Sequence, residues 1–297
     1  MKKKMTAKQQ MVMMMNTHKA GSAVKGLILL GVMLFFNPVS SFASEDNWSF
    51  SLGAGVFTEN VYFGSDETYA APIPCAKATY SKGNFSASLS LLEGIGIMYM
   101  DKENRFYGGI NFNNGDERDE EGYDVLGRKK DHSDHVKKLL KGSPSVKTDV
   151  RTEMMIGYLS DIGIFSISLE YHPTDVDSEG KKNRSANCFI ASLSYIKPFQ
   201  ISEKLTITGM IDLNVMDKNY ADAWFSLEKS IQSLKSFNAA AGLRDVQVVL
   251  QIDYMLWPNI GITFLNGNSF LLMDAGDSPY TESKYQMTSA IFGFYNF

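Results

Sequence analysis

Between Trp48 and Phe57 the chain alternates strictly, with Trp48, Phe50, Leu52, Ala54 and Val56 apolar and Ser49, Ser51, Gly53 and Gly55 small or polar between them. A period of two puts these sets on opposite faces of an extended strand. Similar alternation recurs over 73–80, 85–91, 105–112, 151–158, 162–171, 189–195, 205–215, 237–256, 260–272 and 285–297. One such strand fits a soluble sandwich equally well, but so many long ones suit a bilayer, which takes about 9–11 tilted residues to cross. Aromatic residues gather near strand ends, as at Tyr99, Phe106, Tyr107, Phe112, Tyr158, Tyr171, Tyr195, Phe199, Tyr254 and Trp257, where interfacial girdles would lie.

The connections fall into two kinds. Short turns are expected at 160–161, 200–203 and 257–259, and long polar loops at 113–148, 173–185, 217–236 and 273–284. Short turns at one end and long loops at the other is the asymmetry of an outer-membrane barrel. The plain count is about eleven, and such barrels need an even number. A tight hairpin near Glu93-Gly94 gives about twelve and keeps every long loop at one end; a break at 242–245 also restores parity but moves three of them. The first is preferred, and the expected fold is an all-β, antiparallel transmembrane β-barrel of about twelve strands, with ten to fourteen as the bracket. Within 217–236, Leu227, Ile231 and Leu234 at helical spacing predict a short amphipathic helix. The mixed charges of 113–148 predict a solvated, mobile loop.

Residues 1–43 carry Lys2, Lys3, Lys4, Lys8, Lys19 and Lys25, no acidic residue, then the apolar run 26–36. That is the order of a secretory signal, too short to span as a helix, with cleavage expected after Ala43 and residues 44–297 forming the barrel. Removing six lysines from 29 basic residues leaves 23 against 33 acidic ones, a formal charge of 23 − 33 = −10. No nucleic-acid partner is expected of so acidic a chain. Cys75 and Cys188 lie in separate strands, so their pairing depends on barrel order; two separate thiols are favoured.

The last residues, Gly293-Phe294-Tyr295-Asn296-Phe297, place Tyr295 and Phe297 on one face with Ile291, like the assembly signal read by the barrel-insertion machinery. Three stretches then carry a family resemblance: Val61-Tyr62-Phe63-Gly64-Ser65-Asp66 followed by Pro72-Ile73-Pro74; Asp217, Tyr220, Trp224-Phe225, Gln232-Ser233 and Ala241-Gly242-Leu243-Arg244-Asp245 in order; and Asp274-Ala275-Gly276-Asp277-Ser278-Pro279. Gly127-Arg128-Lys129-Lys130-Asp131 adds a basic loop element. With these the chain resembles the MltA-interacting protein (MipA/OmpV) family of outer-membrane proteins. It departs from the family at 179–184, where a Gly-rich, His-containing segment is usual, and at Trp224, where a tyrosine is usual.

The resemblance implies a scaffold joining a lytic transglycosylase to a bifunctional penicillin-binding protein in murein growth, with membrane lipid and the barrel-assembly machinery as further partners. A surface adhesin or narrow porin-like channel is the alternative reading. Candidate binding positions are Tyr62, Gly64, Ser65, Asp66, Trp224, Phe225, Asp277, Ser278 and Pro279. A structured turn is the favoured role for 62–66, with Gly64 supplying an unusual φ and Asp66 capping the next backbone; 277–279 is read the same way. No catalytic residue is expected, since a histidine such as His172 among so many strand serines makes a chance dyad. Asp131-His132-Ser133-Asp134-His135 offers two imidazoles and two carboxylates, yet nothing in the sequence preorganises it and lysines surround it, so neither metal nor cofactor is expected.

Overall fold

The computed structural model describes residues 47–101, 103–115, 117–118, 132–148, 150–177, 184–231 and 234–297. The expected signal segment, Arg128–Asp131 and most of 179–184 lie outside the described residues. The strands are β1 (Asn47–Asn60), β2 (Thr68–Lys82), β3 (Phe85–Ser90), β4 (Gly94–Asp101), β5 (Phe106–Asn114), β6 (Glu117–Arg118), β7 (Ser145–Thr148), β8 (Val150–Leu159), β9 (Ile164–Asp177), β10 (Arg184–Gln200), β11 (Leu205–Met216), β12 (Gly242–Trp257), β13 (Ile260–Leu271) and β14 (Tyr285–Asn296). Twelve of them form one closed antiparallel wall, in which β14 pairs with β1 and β9 with β10. The remaining two, β6 and β7, extend the β5–β8 hairpin beyond it.

Alternation now has a direction. Side chains such as Phe50, Leu52, Ile97, Ile156 (67% exposed) and Leu193 point outward, while Asp212 (0% exposed), Arg151, Glu170 and Gln247 point into the barrel. In water this arrangement would be inside out; in a bilayer the apolar face meets lipid and the closed ladder leaves no strand edge in hydrocarbon. Aromatic pairs ring the end that holds both termini: Trp48–Tyr80, Phe85–Tyr99, Phe106–Tyr158 and Phe165–Tyr195, with centroids 4.9–5.1 Å apart. Tyr107 is not in this girdle. As the neighbour of Phe106 it must point the other way, and its ring lies inside against Gly157.

The same device recurs within the lumen. A Cβ on Gly55, Gly157 or Gly261 would overlap the ring of Phe292, Tyr107 or Phe294 respectively, each the glycine's cross-strand partner. At these three positions an aromatic ring occupies the space beside the glycine. With Phe57, Ile73, Met155, Ile196 and Met210 these rings belong to one buried apolar cluster on the inward faces of the strands.

The missing break is where parity placed it. After β3 the chain turns through Leu91–Glu93, and Gly94 takes φ +73° where a Cβ would strike the Phe112 carbonyl. The buried Glu93 pairs with Lys77 at 2.7 Å under this turn. β3 pairs only with Lys77–Lys82 of the fifteen-residue β2. The Leu91 N–H donates to the Ala76 carbonyl, so even-numbered β2 residues aim their backbone groups toward the hairpin side. Pro72 and Pro74, which have no N–H, both fall on that side above the hairpin.

Several expectations need correction. Residues 173–177 continue β9 instead of opening a loop; Pro173 is tolerated where β9 changes partner from β8 to β7. The helix in 217–236 is α2 (Lys218–Trp224), which follows α1 (Asp134–Leu140) and precedes α3 (Met273–Asp277). Asp217 caps α2 by accepting from the Tyr220 N–H at 2.8 Å, and Leu227, Ile231 and Leu234 lie instead in a small two-bridge hairpin. Accordingly β12 starts at Gly242, not near Phe237. Finally, the described part of 113–148 is folded: Arg118, His132, Val136, Leu140 and Val146 are buried.

Cys75 on β2 and Cys188 on β10 are buried, and no disulfide joins them. Among the described residues no helix is long and apolar enough to cross a membrane; strands make the crossing.

Candidate functional site at the loop end of the barrel

Every long connection lies at the end of the barrel opposite both termini, and there the loops pack on one another. Their geometry starts from the turn after β1. Gly64, at φ +107°, lets Gly64 O accept from the Glu282 and Ser283 N–H groups at 2.7 and 3.0 Å, while its own N–H donates to Gln286 Oε1 at 3.1 Å. Ser65 O accepts from Asn60 Nδ2 at 2.8 Å. The cap inside this turn is Ser65 Oγ, which accepts from the Glu67 N–H at 3.1 Å. Asp66, expected to cap, is turned outward instead.

A second layer grows from α2. Trp224 stacks on Tyr220, Phe225 meets Phe63 edge-on at 6.0 Å, and the Phe225 carbonyl accepts from Ser278 Oγ at 2.8 Å. Arg118, from the extension of the β5–β8 hairpin, donates to the Trp224 carbonyl and lies 3.9 Å from the Tyr280 ring centroid, a cation–π contact shielded from solvent. Thus Tyr62, Gly64, Ser65, Trp224, Phe225 and Ser278 converge in one cap, with Phe63 and Tyr280. Asp277 does not join them: it pairs with Lys284 at 2.7 Å on the surface. Pro279 follows it in the same turn, half-buried. At the opposite end, Phe297 donates its N–H to the Phe50 carbonyl and packs on Tyr295, both rings facing outward.

Beneath the cap lies a polar layer. A β-bulge skips Arg244 between the pairs Asn214–Asp245 and Val215–Leu243, so Arg244 and Asp245 both face inward and bond to each other. Ser192 Oγ donates to Asn214 Oδ1 at 2.6 Å, and Asn214 Nδ2 to Asp245 Oδ1 at 2.7 Å. Glu170 Oε2 meets His172 Nε2 at 3.0 Å and Arg151 Nη1 at 3.8 Å. The Tyr220 ring packs edge-on against His172 and under Arg244, joining this layer to the cap.

Arg118, Tyr280, Glu282 and the pairing of His135 did not stand out in the sequence. Tyr280 and Glu282 follow the Asp274–Pro279 stretch directly, so its continuation was the available signal. For Arg118 and His135 no signal exists in a charged loop. His132 and His135 do not act together: His132 is buried, and the exposed His135 Nε2 bonds to Glu282 Oε1. That bond and the carboxylate's charge raise the imidazole pKa above its ordinary value. Tyr62 OH donates to Glu282 Oε2 at 2.9 Å, and burial with that carboxylate beside it pushes the phenol pKa up, so it remains a donor.

A closed, twelve-stranded antiparallel wall with an apolar exterior, an aromatic girdle and all long loops at one end defines an outer-membrane β-barrel protein. The profile of the family described as MltA-interacting protein MipA matches residues 52–297, and the chain belongs to that family. No curated protein sequence matches it significantly. Among solved structures it is similar to an outer membrane channel from Pseudomonas putida F1 (7% identity, TM-score 0.45, 88% of this chain and 100% of that one). It is also similar to the CymD monoaromatic hydrocarbon channel (10%, 0.39, 93% of each chain). A third likeness is to a loop-deletion mutant of OmpT, an outer membrane protein of Vibrio cholerae (7%, 0.36, 85% and 99%).

Proposed function

We propose that this chain is an outer-membrane interaction protein that holds murein-remodelling enzymes at the membrane, and not an open channel. The observation carrying this reading is the occupied interior, where the rings of Tyr107, Phe292 and Phe294 pack over glycines of the neighbouring strand and the Arg151, Glu170, Arg244 and Asp245 side chains are buried within the barrel. The family's description names MltA as the interaction partner, and the family resemblance implies a lytic transglycosylase in that place with a penicillin-binding protein as the second enzyme. In the orientation common to such barrels, the termini and short turns face the periplasm, and the partner meets that face. A surface adhesin is the second reading, favoured by one observation: the folded cap sits at the end away from the termini, which this orientation places outside the cell.

Single cysteines in the exposed turns test both. Ser230→Cys in the cap is expected to react with a membrane-impermeant maleimide on intact cells, and Asn104→Cys in the β4–β5 turn to be protected. A photo-crosslinker at Asn104 or Asp161 should then capture a lytic transglycosylase. A correctly assembled barrel that captures none from either turn sinks the scaffold, and labelling of Asn104→Cys with protection of Ser230→Cys sinks the adhesin.

A further inference from the structure

Three loops meet at one point on the outer surface of the cap. Asp66 comes from the β1–β2 turn, His135 from the first turn of α1, and Glu282 from the β13–β14 connection; one ligand atom from each lies within 4.8 Å of the other two. These residues are 69 and 147 positions apart in sequence, so the fold alone assembles them.

The cluster has the supporting bonds of a built site. Glu282 is fixed at its backbone by the N–H to Gly64 O contact and at one carboxylate oxygen by Tyr62 OH, leaving Oε1 directed at His135 Nε2. Tyr62 is itself buried. His135 is positioned by α1, whose N-cap Ser133 accepts from the Val136 N–H at 3.2 Å and donates to Glu67 in the turn that carries Asp66. Outer hydrogen bonds of this kind orient metal-binding carboxylates and imidazoles.

We propose that Asp66, His135 and Glu282 bind a divalent transition-metal ion, with zinc the best match, and that the ion ties the three loops across the mouth of the barrel. Imidazole nitrogen and carboxylate oxygen are both zinc ligands, and three protein ligands leave a position for water. Calcium and magnesium are disfavoured, because they take oxygen ligands and one of the three here is nitrogen. Tetrahedral zinc puts its ligand atoms about 3.4 Å apart, so His135 Nε2 and Glu282 Oε1, hydrogen-bonded to each other here, must separate to admit the ion, with Asp66 within 4.8 Å of both. Binding displaces the proton that His135 shares with Glu282, so His135 Nε2 coordinates as the neutral ring while Tyr62 still holds Glu282 Oε2.

The test is calorimetric titration of tag-free, detergent-folded full barrel with zinc, magnesium as control, alongside Asp66→Asn, His135→Ala, Glu282→Gln and Tyr62→Phe. Zinc is expected to bind with one-to-one stoichiometry at micromolar concentration and to raise the thermal midpoint, whereas magnesium does neither. Each ligand substitution should weaken zinc by at least about tenfold, and Tyr62→Phe, which removes only a positioning bond, by about tenfold. Affinity should fall as pH drops and His135 takes a proton. If Glu282→Gln fails to assemble, the exposed Asp66→Asn carries the decision. Absence of zinc binding by the folded wild type, or binding unchanged in Asp66→Asn and His135→Ala, overturns the proposal.

Discussion

His135 and Glu282 show how one ion pair makes a loop cap sensitive to pH. The folded pKa of His135 is raised, first by the hydrogen bond to Glu282 and then by its charge, with Asp66 and Glu67 adding to it. A raised pKa on a basic group stabilises the fold below the unfolded value, about 6.5 for histidine, and the contribution disappears as pH climbs through the folded value. With chelator present, wild type should therefore exceed His135→Ala in thermal midpoint at acid pH, and the two should converge at alkaline pH. A difference that grows toward alkaline pH would contradict this. Inside the barrel, Gly157 decides a different matter. Its missing Cβ holds the Tyr107 ring, so Gly157→Ala is expected to cost about 1–3 kcal/mol by overpacking, read as a lower urea midpoint in detergent. Neither role was legible beforehand. A glycine in an alternating strand and a histidine in a charged loop look the same whether or not another strand or loop arrives beside them.

At the scale of elements, the β3–β4 hairpin is the clearest case of a feature the chain announces indirectly. Glu93-Gly94 is a weak turn signal alone, and parity made it necessary. What it needs energetically became visible only when Glu93 met Lys77, both shielded from solvent. Lys77→Met leaves that carboxylate buried without its cation and should destabilise the barrel by about 3–5 kcal/mol, while Lys77→Met with Glu93→Gln should recover much of the loss. Equal losses in the single and double variants would show that the pair is not the reason. The helix of the α2 loop was misplaced for a related reason. Leu227, Ile231 and Leu234 have helical spacing, but they are buried in part by Tyr62, Val136 and Tyr280 from other loops, and a tight bridge satisfies that packing as well as a helix does. By contrast, the Asp217 cap and the run to Trp224 are local signals of helix start that spacing of leucines outweighed.

For the molecule as a whole, a filled interior and a folded cap lead to measurable behaviour. Purified wild type in a planar bilayer should pass no sustained current, and large steady conductance steps would remove the occupied lumen as the basis of the proposed function. Phe297 separates assembly from stability: its ring is exposed and packs on the surface ring of Tyr295, and its tie to β1 is a backbone bond, so Phe297→Ala should leave the midpoint of purified barrel within about 0.5 kcal/mol equivalent. Its assembled fraction in cells, followed by heat-modifiable mobility, should nevertheless fall several-fold. An unchanged assembled fraction would refute the assembly-signal reading.

The barrel, its approximate strand number, the end that carries the loops and the family were legible in the residues alone, because strand alternation, turn length and short motifs are local and a closed ladder admits few ways of satisfying them. Tertiary structure alone decided which rings fill the lumen, how the bulge at Arg244 turns two charges inward, and that Asp66, His135 and Glu282 meet. Those outcomes depend on contacts between segments far apart in the chain, and nothing in the local pattern of residues encodes which distant partner will arrive.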